Sequence, residues 1–362
     1  MLRDLKGITD LPLHYGSSPR WLFERMTKLA KAVSEIVVNE YGKREFLKRL
    51  SEPYWFQSFA CVLGFDWHSS GTTTVTMAAL KEALKLSDLS QEIFICGGKG
   101  KTSRKTPEEI KKYGENLNLN DRKISELIRA SRLAAKVDNA ALQDGFQLYH
   151  HSFIFTNSGD WAIVQQGMNN ETSYARRYHW LSNPELNFVN EPHAAIACDK
   201  IVKPLNMVAR EAEETRKCSV DLIKDNPIHL KKELNGQTTL KFFSMPKEHF
   251  PKIKNLKLNF KSLQKAYEIQ PKNYEELLLI EGLGPSTIRA LALISNLIYG
   301  SQLSWRDPCK FSFAHGGKDG WPYPVNKEQY DKSILILKEA VKQAKIGRKE
   351  KLEALKRISH YI

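Results

Sequence analysis

Residues 150–166 read HHSFIFTNSGDWAIVQQ, and this stretch decides the fold class. The β-prone runs HSFIFT and WAIVQQ flank the turn-forming quartet NSGD, a pattern that predicts a β-hairpin. Successive side chains of a strand point to opposite faces, so Trp161, Ile163 and Gln165 share one face and Gln166 lies on the other. One of the two glutamines must therefore face a packed or active surface.

Helical patterns surround this hairpin on both sides in the sequence. The apolar spacing predicts helices over 20–50 with a stop at Gly42, over 76–86, over 121–142, over 203–217 and over 327–359, with a short strand at 92–96. Thr106-Pro107 begins a further helix, because a hydroxyl cap followed by proline is typical of a helix start. The sequence therefore predicts a mostly helical α+β fold with a small central sheet that contains the hairpin.

A second decisive pattern is a pair of short helices over 273–298, called the helix pair below. Asn273 can cap the first helix, and EGLGPSTIR then leads into the apolar helix ALALISNLI. The pattern h-x-G-h-G-x-x-[ST]-h resembles the helix-hairpin-helix of DNA repair nucleases, glycosylases and ligases, which grips phosphates without reading sequence. The predicted nucleic-acid contacts are Gly282, Gly284, Ser286, Thr287 and Arg289. A tight corner between two helices that binds nothing is the alternative.

Bulk composition favours a polyanionic partner. The chain has 362 residues, with 55 Lys+Arg against 41 Asp+Glu, a formal charge of +14, which favours nucleic acid first and an anionic membrane surface second. A solvated Lys/Glu-rich surface is the alternative. No apolar run reaches the roughly 18 residues needed to cross a bilayer, and the five cysteines lack C-x-x-C spacing. We therefore expect a cytoplasmic protein without membrane contact, disulfide framework or zinc knuckle.

Residues 131–193 are dense in side chains that can do chemistry. The candidate catalytic residues are Lys136, Asp138, Gln143, Asp144, His150, His151, Gln165 and His179. Asp138, Asp144 and His151 are the candidate ligands of a divalent ion, Mg²⁺ or Mn²⁺, although the acidic-x-Lys signature of two-metal nucleases is absent. Lys136 and the histidines alone can also stabilise charge on phosphorus and transfer protons. Each residue taken singly is more often hydrogen-bonded structure than catalyst.

Further basic residues are candidates for DNA contact. The glycine-rich loop 97–101, with Arg104 and Lys105, resembles an anion nest, so Lys99, Lys101, Arg104, Lys105, Arg176, Arg177 and His68 are predicted to bind nucleic acid. A flexible solvated turn is the alternative for the loop. The spacing does not fit the phosphate loop of ATP-binding proteins, so no nucleotide cofactor is expected.

Long motifs carry a resemblance to a known family. LPLHYGSSPRWL, RLSEPYWFQSFACVLGFDWHSSGTTT, GGKGKTSRKTP, SRLAAKVDNAALQDGFQLYHH, WAIVQQGMN, ARRYHW, NEPH and FAHGGKDGWPYPV together resemble the prokaryotic, largely archaeal family known as domain of unknown function 763, over about residues 5–360. The resemblance implies that these segments act as one module with the helix pair, on DNA, in repair or replication. It carries no catalytic residues over to this chain.

These observations predict three regions: a mixed α/β catalytic domain over 1–223, a connection over 224–272, and a helical DNA-binding region over 273–362. The leading expectation is a nuclease that hydrolyses phosphodiesters of single-stranded or branched DNA, either as a homodimer or with repair-protein partners. A non-catalytic DNA-binding factor is the alternative. A base-excision glycosylase is a third, weakened by Ser286 at the position of the catalytic lysine and by the poor context of Asp307. The helix pair is expected to lie far from the polar cluster.

Overall fold

The computed structural model describes residues 19–64, 71–172, 174–198, 200–225, 246, 249, 259–311 and 327–359. The helices are α1 (Arg20–Tyr41), α2 (Lys43–Leu50), α3 (Pro53–Leu63), α4 (Gly71–Lys85), α5 (Thr106–Asn116), α6 (Asp121–Lys136), α7 (Glu213–Lys224), α8 (Phe260–Ile269), α9 (Tyr274–Leu279), α10 (Pro285–Tyr299), α11 (Lys327–Gln343) and α12 (Arg348–Ser359). The strands are β1 (Ile93–Lys99), β2 (Leu142–Gln143), β3 (Gln147–Thr156), β4 (Trp161–Met168), β5 (Ala175–Leu181), β6 (Ala195–Cys198) and β7 (Leu205–Asn206). His68 lies outside the described residues.

The predicted hairpin is confirmed as β3 and β4, joined by the quartet Asn157-Ser158-Gly159-Asp160. Gly159 takes a φ of +83°, a conformation that glycine adopts without steric cost. The hairpin lies at the centre of an antiparallel sheet in the order β1-β3-β4-β5-β6, and β2 pairs with β7 in a separate two-stranded sheet. The α+β class is therefore confirmed.

Helices cover both faces of the five-stranded sheet. On one face, Phe153, Ile163 and Trp180 pack with α5, α6, α7 and the helices α8–α10. On the other face, Ile154 and Val164 pack with α1–α4, α11 and α12. Both glutamines of β4 are consequently buried, Gln165 under α6 and Gln166 on the opposite face. The helices after residue 272 thus share both hydrophobic cores with the elements that precede them.

The ends of several helices and strands differ from the sequence predictions. The strand predicted at 92–96 extends to Lys99, because the glycine-rich segment pairs with His150 and His151 of β3. The helix predicted over 203–217 begins only at Glu213. The region 327–359 forms two helices, and 121–142 ends in a π-helical turn over Val137–Ala141.

The expectation of unpaired cysteines is wrong for two of the five. Cys198, at the end of β6, forms a disulfide with Cys309, 111 residues later in the chain. The bond ties the sheet edge to the segment after α10, which spacing along the chain does not reveal. Cys61 and Cys96 are buried, and Cys218 is partly buried, all three outside this disulfide. Among the described helices, none combines the length and apolar character needed to cross a membrane.

Candidate functional site

A chain of buried hydrogen bonds joins four side chains beneath the sheet, and we call it the relay. Ser131 Oγ lies 2.9 Å from His151 Nε2, and His151 Nδ1 lies 2.7 Å from Gln165 Oε1. Gln165 Nε2 in turn donates to Asp138 Oδ2 at 2.5 Å. His151 and Gln165 are directly opposite in the β3–β4 register. Ser131 and Asp138 are seven residues apart, about two helical turns, so both approach this pair from the same side.

The hydrogen-bond partners of Gln165 determine on which atom each proton of the relay sits. Its amide nitrogen faces two acceptors, the Asp138 carboxylate and the Ala134 carbonyl, so its oxygen must face His151. His151 therefore carries its proton on Nδ1, and its Nε2 accepts from the Ser131 hydroxyl. Burial lowers the pKa of His151, against the raising effects of Gln165 and Asp138. The imidazole of His151 is thus neutral, and its unprotonated Nε2 faces the hydroxyl of Ser131.

Three hydrogen-bonding groups meet the Asp138 carboxylate in the described residues, and Gln165 is one of them. Trp180 Nε1 donates to its Oδ2 at 2.9 Å, and His193 Nε2 lies 2.5 Å from its Oδ1. Asp138 belongs to the π-helical turn that follows α6, and such turns recur at functional sites. Since N–H groups occupy both oxygens, Asp138 has little lone-pair capacity left for a cation.

Asp144 belongs to a separate buried ion-pair network. Arg176, fully buried, bonds Asp144 at 3.0 Å and Asp307 through both nitrogens at 3.0 and 2.7 Å. Burial opposes the charge of Arg176, but Asp144 and Asp307 outweigh it and raise the pKa of the guanidinium. Tyr178 also donates to Asp144 at 2.7 Å. In the described residues, the three candidate metal ligands Asp138, Asp144 and His151 therefore do not form one cation site.

His179 lies on the opposite face of the sheet from the relay. Its Nε2 accepts from Arg177 Nε at 2.9 Å, and its Nδ1 lies 2.9 Å from the Leu50 carbonyl. Arg177 also donates to Gln57 at 3.2 Å. Arg176 and Arg177 were predicted to bind nucleic acid, but both are fully buried in the core, so those two predictions are wrong. The predicted catalytic cluster is thus divided between two faces.

A pocket of about 240 Å³ opens where the relay reaches the surface. Ser131 and His151 line it together with His150, Tyr149, Arg104 and Arg132, and with Ser103, Thr106, Pro107, Ala135 and Leu148. Burial first, and then the charges of His151 and Lys99, lower the pKa of His150 to about 3. The pocket therefore combines the hydroxyl of Ser131, the neutral imidazole of His151 and two guanidinium groups.

Two exposed cations, Arg104 and Arg132, line this pocket, and further exposed lysines lie close to Arg104 in the chain. We call the set the basic rim: Lys99, Lys101, Arg104, Lys105 and Arg132. The anion-nest interpretation of the segment is wrong in one respect, because the Gly97 amide donates to the Glu109 carboxylate at 2.7 Å. A Cβ at Gly97 would also lie 2.3 Å from the His151 carbonyl oxygen. The glycine thus permits close strand pairing, and its amide is not available to an anion.

The helix pair appears as α9 and α10, and it contacts the helix that carries the relay. Lys136 Nζ donates to the Leu283 carbonyl at 2.8 Å, and Gln143 Nε2 donates to the Pro285 carbonyl at 2.8 Å. Arg129 pairs with Glu275 at 2.7 Å. The expectation that the helix pair lies far from the polar cluster is therefore wrong, and Lys136 and Gln143 hold the turn between α9 and α10.

The predicted phosphate contacts of the helix pair divide by exposure. Gly282, with a φ of +84°, and Ser286 are exposed, and Gly284 is partly exposed. Thr287 and Arg289 are buried, and Arg289 bonds His249 at 2.8 Å, so neither side chain reaches a phosphate on the surface. The first amides of α10 have no side-chain cap and stay suited to an anion.

One comparison with known proteins is informative. A family model matches residues 7–325. The chain belongs to the family described as protein of unknown function (DUF763). No curated protein and no solved structure matches it. The family resemblance inferred from the motifs is thus confirmed.

Sequence reasoning missed three residues that this DUF763 member brings to the site: Ser131, Arg132 and His193. The spacing of Ser131 and Asp138 was an available signal, because residues seven apart share a helix face. Arg132 precedes Lys136 by four residues, so the two cations are neighbours on α6. No local signal marks His193, which reaches Asp138 from an irregular segment 55 residues later.

Proposed function

We propose that this protein binds DNA and hydrolyses phosphodiester bonds of single-stranded or branched DNA at the pocket beside β3. The observation that carries the proposal is the pocket itself. Arg104 and Arg132 enter the same cavity as Ser131 and the basic nitrogen of His151. Guanidinium groups bind phosphate, and a neutral imidazole accepts a proton, which are the two requirements of phosphoryl transfer.

The second support for DNA binding is the position of α6. Arg132 lines the pocket, and Lys136, one turn later, contacts the turn of the helix pair. A polynucleotide backbone that follows this helix would meet the basic rim at one end and the exposed amides of Gly282 and Ser286 at the other. Its affinity would then come from phosphate contacts.

The preference for single strands follows from how deeply the reactive groups lie. Ser131 is 3% exposed and His151 is 6% exposed, at the floor of the pocket. A rigid duplex cannot bring a phosphate to such a floor without distortion, whereas an unpaired strand bends into it at little cost. Branched DNA supplies unpaired strands at its junctions.

A non-catalytic DNA-binding factor is the second candidate. The observation that favours it is that several hydrogen-bond donors hold both Asp138 and Asp144, which is typical of structural carboxylates. The glycosylase hypothesis receives no support, because Asp307 is bonded by Arg176 and by the backbone amides of Val202 and Cys309.

The decisive experiment incubates purified protein with labelled single-stranded, duplex and forked DNA, in Mg²⁺, in Mn²⁺ and in EDTA. We expect binding of all three, with cleavage of the single-stranded and forked substrates. Binding with intact DNA in every buffer would favour the non-catalytic factor. Absence of binding at low salt would refute both candidates, and release of a free base would revive the glycosylase.

A further inference from the structure

The hydroxyl of Ser131 does not bond its own helix, whereas several other buried helical hydroxyls do. Ser219, Ser295 and Thr27 each donate to the carbonyl four residues earlier, at 2.7, 2.7 and 2.9 Å. That bond is the usual way for a helix to satisfy such a group. Ser131 instead donates to His151 Nε2 at 2.9 Å. The hydroxyl proton of Ser131 therefore points at a nitrogen that can accept it.

We propose that Ser131 is a catalytic nucleophile, with His151 as its general base, and that it attacks the phosphorus of a phosphodiester. The proposal deepens the proposed nuclease function and rests on it. Ser131, His151 and Gln165 repeat the order nucleophile, imidazole and orienting group that activates serine and cysteine in hydrolases of unrelated folds. Gln165 is a positioning residue, because it holds the proton of His151 on Nδ1.

The surroundings of Ser131 supply what a phosphoryl transfer needs. Arg104 and Arg132 line the same pocket and place positive charge beside the attacked phosphorus. The ring of His150 shares the opposite face of β3 with Ser152, whose Oγ its Nε2 bonds at 2.9 Å, so His151 is the imidazole that meets Ser131.

The reaction proceeds in two balanced steps. In the first, Ser131 Oγ bonds to phosphorus, its proton moves to His151 Nε2, and the bond from phosphorus to one ester oxygen breaks. His151 returns the proton to that leaving oxygen, which leaves a DNA strand joined to Ser131 through phosphate. In the second, water loses a proton to His151 Nε2 and attacks phosphorus. The bond between phosphorus and Ser131 Oγ then breaks, and His151 returns the proton to Ser131 Oγ.

A fluorophosphonate probe tests the nucleophile without DNA. We expect the probe to modify Ser131 in the wild-type protein, with the adduct located by peptide mass spectrometry. Ser131→Ala should abolish labelling, and His151→Gln should slow it at least about 100-fold, the usual contribution of a general base. Ser219→Ala is the matched control, since it removes an equally buried helical hydroxyl that bonds its own helix. Labelling of all variants alike, or no labelling of Ser131, would refute the nucleophile.

DNA cleavage separates this inference from the proposed function. Reactions with labelled single-stranded DNA, stopped in denaturant, should contain protein joined covalently to DNA, which Ser131→Ala should not form. If wild type and Ser131→Ala cleave at the same rate, the protein is a nuclease but Ser131 is not its nucleophile. If the probe labels Ser131 and DNA stays intact, the nucleophile stands and the phosphodiester substrate is wrong. Ser131→Cys provides a folded variant whose alkylation by iodoacetamide should depend on His151.

Discussion

Replacement of Arg132 by alanine should weaken DNA binding and flatten its dependence on salt. Arg132 is exposed, lines the pocket, and has no ion-pair partner among the described residues. Its guanidinium is therefore free for one phosphate of a bound strand. Arg122, ten residues earlier on α6, is the matched control, because its side chain is 90% exposed and pairs with Glu126 at 3.0 Å.

The magnitude follows from counterion release. Each phosphate neutralised on a single strand contributes about 0.7 to the slope of log K against log salt. Loss of the Arg132 contact should therefore reduce the slope by about 0.7. At 0.1 M salt the same contribution corresponds to an increase in Kd of roughly fivefold. Arg122→Ala should leave both the slope and the Kd unchanged within error.

Fluorescence anisotropy of a labelled single-stranded oligonucleotide, titrated at several salt concentrations between 50 and 200 mM, measures both quantities. Thermal unfolding of each variant should match the wild type, since both side chains lie on the surface of α6. Equal losses of affinity in the two variants would mean that general positive charge, and not the basic rim, attracts DNA. An unchanged slope in Arg132→Ala would refute the proposed path of the strand along α6.

Three further predictions concern stability. Burial lowers the pKa of His150 to about 3 and also lowers the pKa values of His151 and His179, so below pH 6.5 the unfolded chain binds protons that the folded chain does not. The free energy of unfolding should therefore fall as the pH drops from about 6.5 towards 3. His150→Gln should reduce that slope by about 1.4 kcal/mol per pH unit, measured by urea unfolding from pH 6 to 4. An unaltered slope would contradict it. The Cys198–Cys309 bond closes 111 residues and should contribute about 4–5 kcal/mol; dithiothreitol should therefore lower the melting temperature of the wild type but not of the double serine variant. Gly282→Ala should lower the free energy of unfolding by about 1–3 kcal/mol, because its Cβ would lie 2.2 Å from Ser262 Oγ at a φ of +84°. Gly284→Ala should lower it by less than about 1 kcal/mol, because no atom lies within 4 Å of the added Cβ. Equal losses of stability in the two variants would refute this account.

The sequence was sufficient for the features that depend on local pattern. The turn quartet at 157–160 and the β-prone runs on either side of it predicted the hairpin, and Gly42 ends α1 as predicted. What local pattern did not show was that helices cover both faces of the sheet. Two adjacent glutamines on β4 point to opposite faces, which is typical of a strand with at least one polar surface. Here Gln165 and Gln166 are polar and yet buried, because each meets a hydrogen-bond partner from another element.

The candidate site was harder to predict because its partners are distant in the chain. Arg176 is predicted from its charge to contact DNA, but it is buried, and Asp307 compensates its charge from 131 residues away. No single-sequence pattern shows such a pairing. Lys136 and Gln143 are similar cases, whose acceptors are carbonyls of the turn between α9 and α10. Polar density thus marked the region of the candidate site but did not separate the side chains that line the pocket from those held in buried networks.

The physical distinction between those two kinds of group is whether their hydrogen-bond chain ends inside the core or reaches a pocket. Arg176 and Tyr178 hold Asp144, and Arg176 also holds Asp307, and such a buried network stabilises the core. The relay is closed at its Asp138 end, where three donors meet the carboxylate, but its other end reaches the pocket at Ser131. Asp138 and Gln165 thus orient His151, while its Nε2 stays available to accept the proton of Ser131. That asymmetry, and not the number of polar residues, is the reason to place chemistry at Ser131 and His151.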